Sequence, residues 1–479
     1  MKKLFVALLP LMMVAACNKD ITDINVNPKL PQNVPSASLF TNAQKNLTDL
    51  LTNTNVNSNI FRLIVQYWTE TTYTDESNFD LNTRQIPRQV WNGLYRDVIN
   101  NLRASKNATG GETYSNNPQE QAGVIKNRRA QAEITEVMAW YYLVTTFGDV
   151  PYSQALNIEI AQPKYDNQQT IYNDLLNRLD TAIAALDTRY AGFGSADLLY
   201  GGIVADWKRF ANSFKLKMGM TIADADNAKA KQVVESAVAA GVFTSNDDNA
   251  QFNYLTAPPN TNPVWVDLVQ SGRKDFVVTS TVVNTLRTLN DPRTDDYFTF
   301  NSTGNEYSGG IPGASNNYAT FSKPSERISA PDAPALVLSY DEVEFFLAEA
   351  VMRGYNVGGT ALQHYNAAVT ASIRWWGGTD AQATTYLAQP GAAFDPVNWK
   401  QRIGEQKWIA LYNRGWDAWI EWRRLDAPRL VAPPTAQSVI PLRFTYPIPE
   451  QNVNTANYNA AATAVGGDKV DVKLFWDRF

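Results

Sequence analysis

Residues 399–424 read WKQRIGEQKWIALYNRGWDAWIEWRR and hold five of the thirteen Trp in the chain. Two apolar stripes at helical spacing run through this stretch, separated by a break at Asn413–Gly415, and they predict two short amphipathic helices. The stripe residues are Ile403, Trp408, Leu411 and Tyr412 in the first helix and Trp416, Trp419 and Ile420 in the second. Because rings of this size bury a large apolar area, we expect the Trp side chains to build a structural core rather than a ligand site.

The composition is that of a globular chain with a large core. Of the 479 residues, 44% are hydrophobic and 19% are charged. Without residues 1–16, which contain Lys2 and Lys3, 40 basic residues stand against 47 acidic ones, a net charge of −7. No basic block is present that could neutralise phosphates, so we expect no nucleic-acid partner.

Cysteine and histidine are almost absent from the chain. The single Cys is Cys17 and the single His is His364, so a disulfide within the chain and a zinc site built from Cys/His clusters are both excluded. A catalytic Ser/His/Asp set would have to use His364, which lies in a helix-like run. We expect a helix-surface or half-buried histidine instead.

The N-terminus has the features of an export signal. Residues 1–16 combine two lysines, a short apolar run and the small pair Ala15-Ala16, and the run is too short to span a membrane. Val14-Ala15-Ala16-Cys17 resembles a bacterial lipobox, which implies a lipid on Cys17 that anchors the mature chain to a membrane. Residues 17–36, rich in Asn, Asp and Pro, then predict an extended, lipidated tether.

Helical periodicity dominates the rest of the chain, residues 37–479, apart from two loop-rich stretches. Further helices are predicted at about 36–51, 58–69, 88–104, 118–146, 168–189, 203–223, 338–350 and 358–376. Thr71 to Pro87 reads as a polar loop. Residues 243–334 are punctuated by Gly, Pro, Asn and Ser but also carry many aromatics, so we expect a loop-rich insertion with a function rather than disorder.

Several motifs in sequence order resemble those of one protein family. The opening stretch combines a Glu-x-x-Trp helix, a Gly turn, Trp-x-x-Trp and a paired Arg. The other motifs are Gly-Asp-x-Pro-Tyr at 148–152, Asp-Pro-Arg at 291–293, Ala-Glu-Ala at 348–350, and the segments 441–447 and 473–477. Together they resemble the SusD/RagB family of outer-membrane nutrient-binding lipoproteins, in its SusD-like branch.

The resemblance implies an all-α fold of packed, TPR-like helical hairpins with a loop-rich ligand-binding subdomain at 243–334. It also implies a surface-exposed lipoprotein of the outer membrane that binds an oligosaccharide without catalysis. Such a protein delivers its ligand to a SusC-like TonB-dependent transporter, over which the helical body acts as a lid. RagB-like relatives bind peptides instead, so a peptide ligand stays open.

Loop aromatics are the candidate ligand-binding residues, because a flat ring offers a face on which the apolar side of a sugar can stack. The candidates are Tyr73, Phe79, Trp265, Tyr297 and Tyr318. No metal site and no cofactor are expected, since the chain has no EF-hand loop, Walker A sequence or dinucleotide fingerprint.

A glycoside hydrolase is the remaining alternative. Two carboxylates can meet in space from any spacing in sequence, so the sequence does not exclude this activity. The acidic pairs Asp247-Asp248 and Asp295-Asp296 read as solvated loop charges.

Overall fold

A computed structural model describes residues 34–302, 304 and 306–479. The predicted signal peptide, most of the tether and the lipidation site Cys17 lie outside these residues. Residues 36–479 form one compact unit, in which the loop-rich stretch 243–334 packs together with the helices. Within the described part of the chain, no helix is both long and apolar enough to cross a bilayer.

The fold is predominantly helical, as predicted. In the first half, the helices are α1 Ser36–Thr52, α2 Phe61–Ile64, α3 Ile86–Asn92, α4 Asn100–Thr109, α5 Pro118–Phe147, α6 Gln168–Ala185, α7 Val204–Thr221 and α8 Asn227–Ala240. In the second half, they are α9 Pro263–Trp265, α10 Ser280–Thr288, α11 Thr294–Tyr297, α12 Glu326–Ser329, α13 Tyr340–Met352, α14 Ala361–Trp375, α15 Asp380–Leu387, α16 Trp399–Ala410, α17 Gly415–Leu425, α18 Ile448–Val453 and α19 Thr455–Ala464. A π-helical segment, Gly93–Ile99, joins α3 to α4.

Helices that are near in sequence pack on one another as hairpins, in agreement with the TPR-like pairing that the resemblance implies. The packed pairs are α1 with α4, α5 with α6, α7 with α8, α13 with α14, and α16 with α17. The long helix α5 shows how the sequence sets such an element. Asn117 caps it by accepting hydrogen bonds from the backbone N–H groups of Gln119 and Glu120, and Gly148 ends it with a positive φ of 86°.

Three small antiparallel sheets hold the loops against the helices. Strand β1 Trp68–Glu70 pairs with β5 Phe276–Val278, β2 Val150–Pro151 pairs with β3 Tyr165–Asp166, and β4 Ala250–Phe252 pairs with β6 Ala335–Leu338. The predicted helix at 58–69 is therefore wrong over most of its length. Only Phe61–Ile64 is helical, because Trp68–Glu70 is drawn into a sheet by a partner about two hundred residues away.

Residues 399–424 contribute several of the large side chains of the core. Helices α16 and α17 form there as predicted, and Trp416 and Trp419 are almost completely buried. Phe61 of α2 stacks on Trp416, with ring centroids 4.3 Å apart. Gly415 makes this approach possible, because a Cβ on it would lie only 2.5 Å from the backbone nitrogen of Arg62.

Buried ion pairs connect this stretch to the other helices. Arg414 pairs with Glu342 of α13 and with Asp417 of α17, each at 2.7 Å. Lys217 of α7 reaches the same two carboxylates at 2.9 Å and 2.5 Å. Charges this deeply buried are tolerated only when they are paired, so the cluster fixes how three helices meet.

Candidate functional site

Hydrogen bonds bring four loop segments together next to the β1–β5 sheet. The N–H of Thr71 donates to the carbonyl of Asp275 at 2.8 Å, and the carbonyl of Thr71 accepts from the N–H of Asn316 at 3.1 Å. The fourth segment contains Thr299, whose N–H donates to the carbonyl of Lys323, in the same segment as Asn316, at 2.9 Å. We call the accessible rings that these segments carry the aromatic loop surface. Its members are Tyr73, Phe300, Tyr307 and Tyr318.

Tyr73 is the most exposed of these rings, with 77% of its surface accessible. Its φ is +47°, in the left-handed region that a bulky residue seldom adopts. Strain of this kind persists only where the surroundings fix the chain, and it is concentrated at ligand sites. The surroundings here include Thr71, two residues earlier, whose hydroxyl donates to the carbonyl of Lys274 at 2.6 Å.

Phe300 and Tyr307, two further members of the aromatic loop surface, form a stacked pair. Their ring centroids lie 4.6 Å apart with planes 25° from parallel, and 49% of Phe300 is exposed. The hydroxyl of Tyr307 donates to Oδ1 of Asp295 at 2.7 Å. Burial and this hydrogen bond both raise the pKa of Tyr307, so its hydroxyl stays protonated at neutral pH.

Tyr318 lies beside two lysines. The Nζ atoms of Lys323 and Lys274 are 4.9 Å and 5.8 Å from the centroid of its ring, within cation–π range. Burial raises the pKa of Tyr318 and lowers the pKa of Lys323. The surface thus combines aromatic faces with positive charge.

A buried carboxyl pair supports the loop that carries Tyr73. Glu70 Oε2 accepts a hydrogen bond from the N–H of Ser77 at 2.8 Å, and Glu76 Oε1 accepts from Nε of Arg84 at 2.5 Å. Burial, followed by the hydrogen bond to Glu76, raises the pKa of Glu70 to about 9. A carboxyl group with a pKa this high is protonated at neutral pH.

Two of the five predicted ligand residues are placed differently by the structure. Tyr297 is fully buried, stacks on Tyr412 at 4.3 Å and donates its hydroxyl hydrogen bond to the carbonyl of Ile409. Phe79 is 3% exposed and follows a short helical turn with a φ of +67°. Neither ring offers a face to solvent, so we withdraw both as ligand-binding candidates. The burial of Tyr297 depends on its contacts with Ile409 and Tyr412, more than a hundred residues away, which its local sequence does not reveal.

Trp265 is half-buried in a different segment. The residues around it are held by Thr54, whose N–H and hydroxyl donate to Asp267 at 3.1 Å and 2.9 Å, and by Asn262, which donates to the carbonyl of Ala333 at 2.6 Å. These contacts do not connect it to the loops that carry Tyr73 and Tyr318. Trp265 stays a candidate of its own.

The acidic loop residues Asp248 and Asp296 are engaged in ion pairs. Asp248 pairs with Arg209 at 2.9 Å, and Asp296 pairs with Arg327 at 3.3 Å. A groove of about 550 Å³ lies between α5 and α6, where Glu133 pairs with Arg178. Across the described ranges, no cluster of three or more His, Cys, Asp and Glu side chains is placed to hold a metal ion. His364 is half-buried on α14, as the sequence predicted.

Sequence reasoning missed four residues of the surface: Phe300, Tyr307, Lys274 and Lys323. Phe300 precedes a Ser-Thr-Gly-Asn run, a signal for an exposed turn that could have drawn attention to it. The lysines carry no such signal, because in sequence an isolated lysine in a loop cannot be distinguished from an ordinary solvent-exposed charge. Only the folded chain places both of them at the ring of Tyr318.

Comparison with known proteins agrees with this architecture. The family described as "Starch-binding associating with outer membrane", SusD-like, matches residues 28–447. No curated protein sequence matches the chain. A structure named as a chitin-binding protein is 28% identical with a TM-score of 0.80, over 93% of this chain and 100% of its own.

Two further solved structures share the fold. A SusD homolog from Bacteroides uniformis is 28% identical with a TM-score of 0.79, over 92% of this chain and 99% of its own. A chitin-binding SusD homolog from Flavobacterium johnsoniae is 24% identical with a TM-score of 0.76, over 92% of this chain and 98% of its own. Because the family matches most of the chain and the whole helical body is shared, this protein belongs to the SusD-like family.

Proposed function

We propose that this protein is a surface-exposed lipoprotein of the outer membrane, anchored through lipid on Cys17, that captures an oligosaccharide. It then delivers the ligand to a SusC-like TonB-dependent transporter. The family's description as starch-binding and associated with the outer membrane supports the ligand class and the location. A structural relative named as a chitin-binding protein, 28% identical, supports a glycan ligand as well.

The aromatic loop surface is the observation on which the proposal rests. A sugar ring has an apolar C–H face that stacks on an aromatic ring, while its hydroxyls hydrogen-bond to neighbouring polar groups. Tyr73 and Phe300 are exposed although their loops are tied down by hydrogen bonds. Rings that are already in place lose little conformational entropy when a ligand binds, which favours affinity.

The role needs binding and release but no chemical step. Two deeply buried carboxylates of the described chain serve the core: Asp417 pairs with Arg414 and Lys217, and Glu421 pairs with Lys407 and Arg424. A carboxylate held between buried cations has no access to a substrate. Capture without conversion is therefore the function that the site supports best.

Calorimetric titration with a panel of oligosaccharides tests the binding site. We expect Tyr73→Ala and Tyr318→Ala each to weaken binding about tenfold, which corresponds to roughly 1.4 kcal/mol, through loss of a stacking face. Trp265→Ala tests the separate candidate in the same way. Tyr190→Ala, at a partly exposed tyrosine beyond the end of α6, is the matched control and should bind like the wild type.

The outcomes of this titration separate the possible ligands. Unchanged affinity in both the Tyr73 and Tyr318 variants would remove the aromatic loop surface from the site. Binding of oligopeptides with no response to any sugar would replace the glycan with a peptide. Slow consumption of a bound sugar, followed by chromatography at stoichiometric protein, would show a hydrolase.

Membrane fractionation and co-purification test the anchor and the partner. Cys17→Ser should move the protein from the membrane to the soluble fraction, because the chain would lose its lipid. Purification of the native protein in mild detergent should retain a large β-barrel transporter. A Cys17→Ser protein that stays in the membrane would contradict the anchor, and a wild-type protein that comes out alone would contradict the transport role.

A further inference from the structure

Two ammonium groups, those of Lys274 and Lys323, lie at the aromatic loop surface. Lys274 and Lys323 both lie near the ring of Tyr318, and within the part of the chain that the structure describes neither forms an ion pair. Two acids on neighbouring segments are engaged with arginines. Asp275 pairs with Arg273 at 2.6 Å, and Asp296 pairs with Arg327.

Several other lysines with limited exposure form ion pairs. Lys106, Lys215 and Lys217 each pair with at least one carboxylate. Lys323 is half-buried yet lacks such a partner, and burial lowers its pKa. The chain as a whole is acidic, with a formal net charge of −5, so the positive charge at Tyr318 is a local feature.

We propose that the ligand of this surface is an anionic oligosaccharide, and that Lys274 and Lys323 bind its acidic group where a sugar ring stacks on Tyr318. The inference rests on the proposed function and adds the substrate class to it. Each ammonium group offers three N–H donors, and a carboxylate or sulfate would supply the acceptors that the protein itself does not. Charge-assisted hydrogen bonds of this kind are about twice as strong as neutral ones.

The charge also gives the site a means of selecting ligands. A neutral sugar can use the ring of Tyr318 but would leave both ammonium groups without an acceptor. An acidic sugar of the same shape uses the ring and the ammonium groups together. Selectivity between the two should therefore fall when the lysine charges are removed, while stacking on Tyr318 is kept.

A glycan array with neutral, uronate-containing and sulfated oligosaccharides is the first test, followed by calorimetry on matched pairs. Oligogalacturonate and its methyl ester share a sugar backbone but differ in the charge of their carboxyl groups, and a sulfated oligosaccharide differs from its desulfated form by its anionic sulfate groups. We expect the charged member of at least one pair to bind ten times more tightly or better. Which pair responds distinguishes a carboxylate from a sulfate.

The Lys274→Gln/Lys323→Gln double variant should lose most of this preference. Its affinity for the charged ligand should no longer fall between 50 and 500 mM salt. Lys469→Gln, at an exposed lysine near the C-terminus, is the control and should keep the preference. Thermal unfolding shows whether the double variant is folded. If the double variant is not folded, the single variant Lys274→Gln, at an exposed lysine, provides a second measurement of the preference.

The results separate this inference from the proposed function. Equal binding of charged and neutral partners, or a double variant that keeps the preference, overturns the anionic ligand but leaves glycan capture intact. Absence of binding to every glycan overturns both. Binding of a poly-glutamate peptide through the two lysines, with no glycan bound, overturns the inference in favour of an acidic peptide.

Discussion

Arg424 and Glu349 form a two-point ion pair in the core, in which Nη1 and Nη2 of the arginine donate to Oε1 and Oε2 of the glutamate, each at 2.6 Å. Both side chains are almost completely buried. The pair joins α17 to α13 across 75 residues of sequence. Despite burial, the guanidinium groups of Arg424 and Arg353 lower the pKa of Glu349 to about 2. The carboxylate therefore stays charged, and it connects residues 399–424 to the hairpin of α13 and α14.

Glu349→Gln should destabilise the fold by about 3 kcal/mol, because breaking a buried pair leaves an uncompensated charge. Arg424 would keep only Glu421, at 2.6 Å. Urea denaturation measures the free energy of unfolding. Arg96→Gln removes an exposed ion pair with Asp97 and should change the denaturation midpoint little. Equal effects of the two substitutions would contradict the role of the buried pair.

Glu70→Gln should make stability less dependent on pH between about 5 and 9. The folded-state pKa of Glu70, about 9, lies above the usual value for a glutamate, so the folded protein holds a proton that the unfolded chain releases. The contribution of Glu70 is complete below pH 4.5 and is lost as the pH rises through 9. Glutamine keeps a donor toward Glu76 without titrating.

Unfolding in urea at several pH values compares the Glu70→Gln variant with the wild type. The stability of the variant should improve relative to the wild type as the pH rises. Parallel curves across the range would show that the carboxyl pair does not retain a proton.

Glu344→Gln should lower the pKa of His364. The Nδ1 atom of His364 lies 2.6 Å from Glu344 Oε2, and Nε2 lies 3.0 Å from the carbonyl of Gly358. Burial lowers the pKa of this histidine, but its hydrogen bonds to Glu344 and Gly358 raise the pKa by more than burial lowers it. The net shift is therefore upward. The stability from this pair is present below pH 6.5 and is lost as the pH rises through the raised pKa.

An NMR titration of the imidazole checks this directly, and the assignment is unambiguous because the chain has one His. The wild-type titration should have its midpoint above that of the Glu344→Gln variant. Identical midpoints would mean that Glu344 does not stabilise the charged imidazole in solution.

Gly415→Ala should destabilise the protein by about 2 kcal/mol. The added Cβ would lie 2.5 Å from the backbone nitrogen of Arg62 and 2.9 Å from the carbonyl carbon of Phe61, and backbone atoms cannot move aside cheaply. Thermal unfolding measures the loss. Gly111→Ala is the control, since its Cβ would meet nothing closer than 3.7 Å. A Gly415 variant as stable as the control would refute the close approach.

Local patterns in the sequence account for most of the helices and for the family. The stripes in residues 399–424 predicted α16, α17 and the break between them, because amphipathic periodicity and a Gly turn are properties of neighbouring residues. Neighbouring residues also set the end of α5, because Gly148 terminates the helix and Pro151 prevents a further helical turn. The helix predicted at 58–69 failed where a distant strand, β5, paired with Trp68–Glu70.

The tertiary structure decided which loop aromatics remain accessible. Tyr297 and Tyr73 have the same local signal in sequence, an aromatic ring in a polar loop, yet one is fully buried and the other is 77% exposed. The position of Lys274 and Lys323 at Tyr318 depends on loops that meet through the Thr71 hydrogen bonds. Helices form from contacts a few residues apart, whereas a binding surface depends on distant segments that only a packed core brings together.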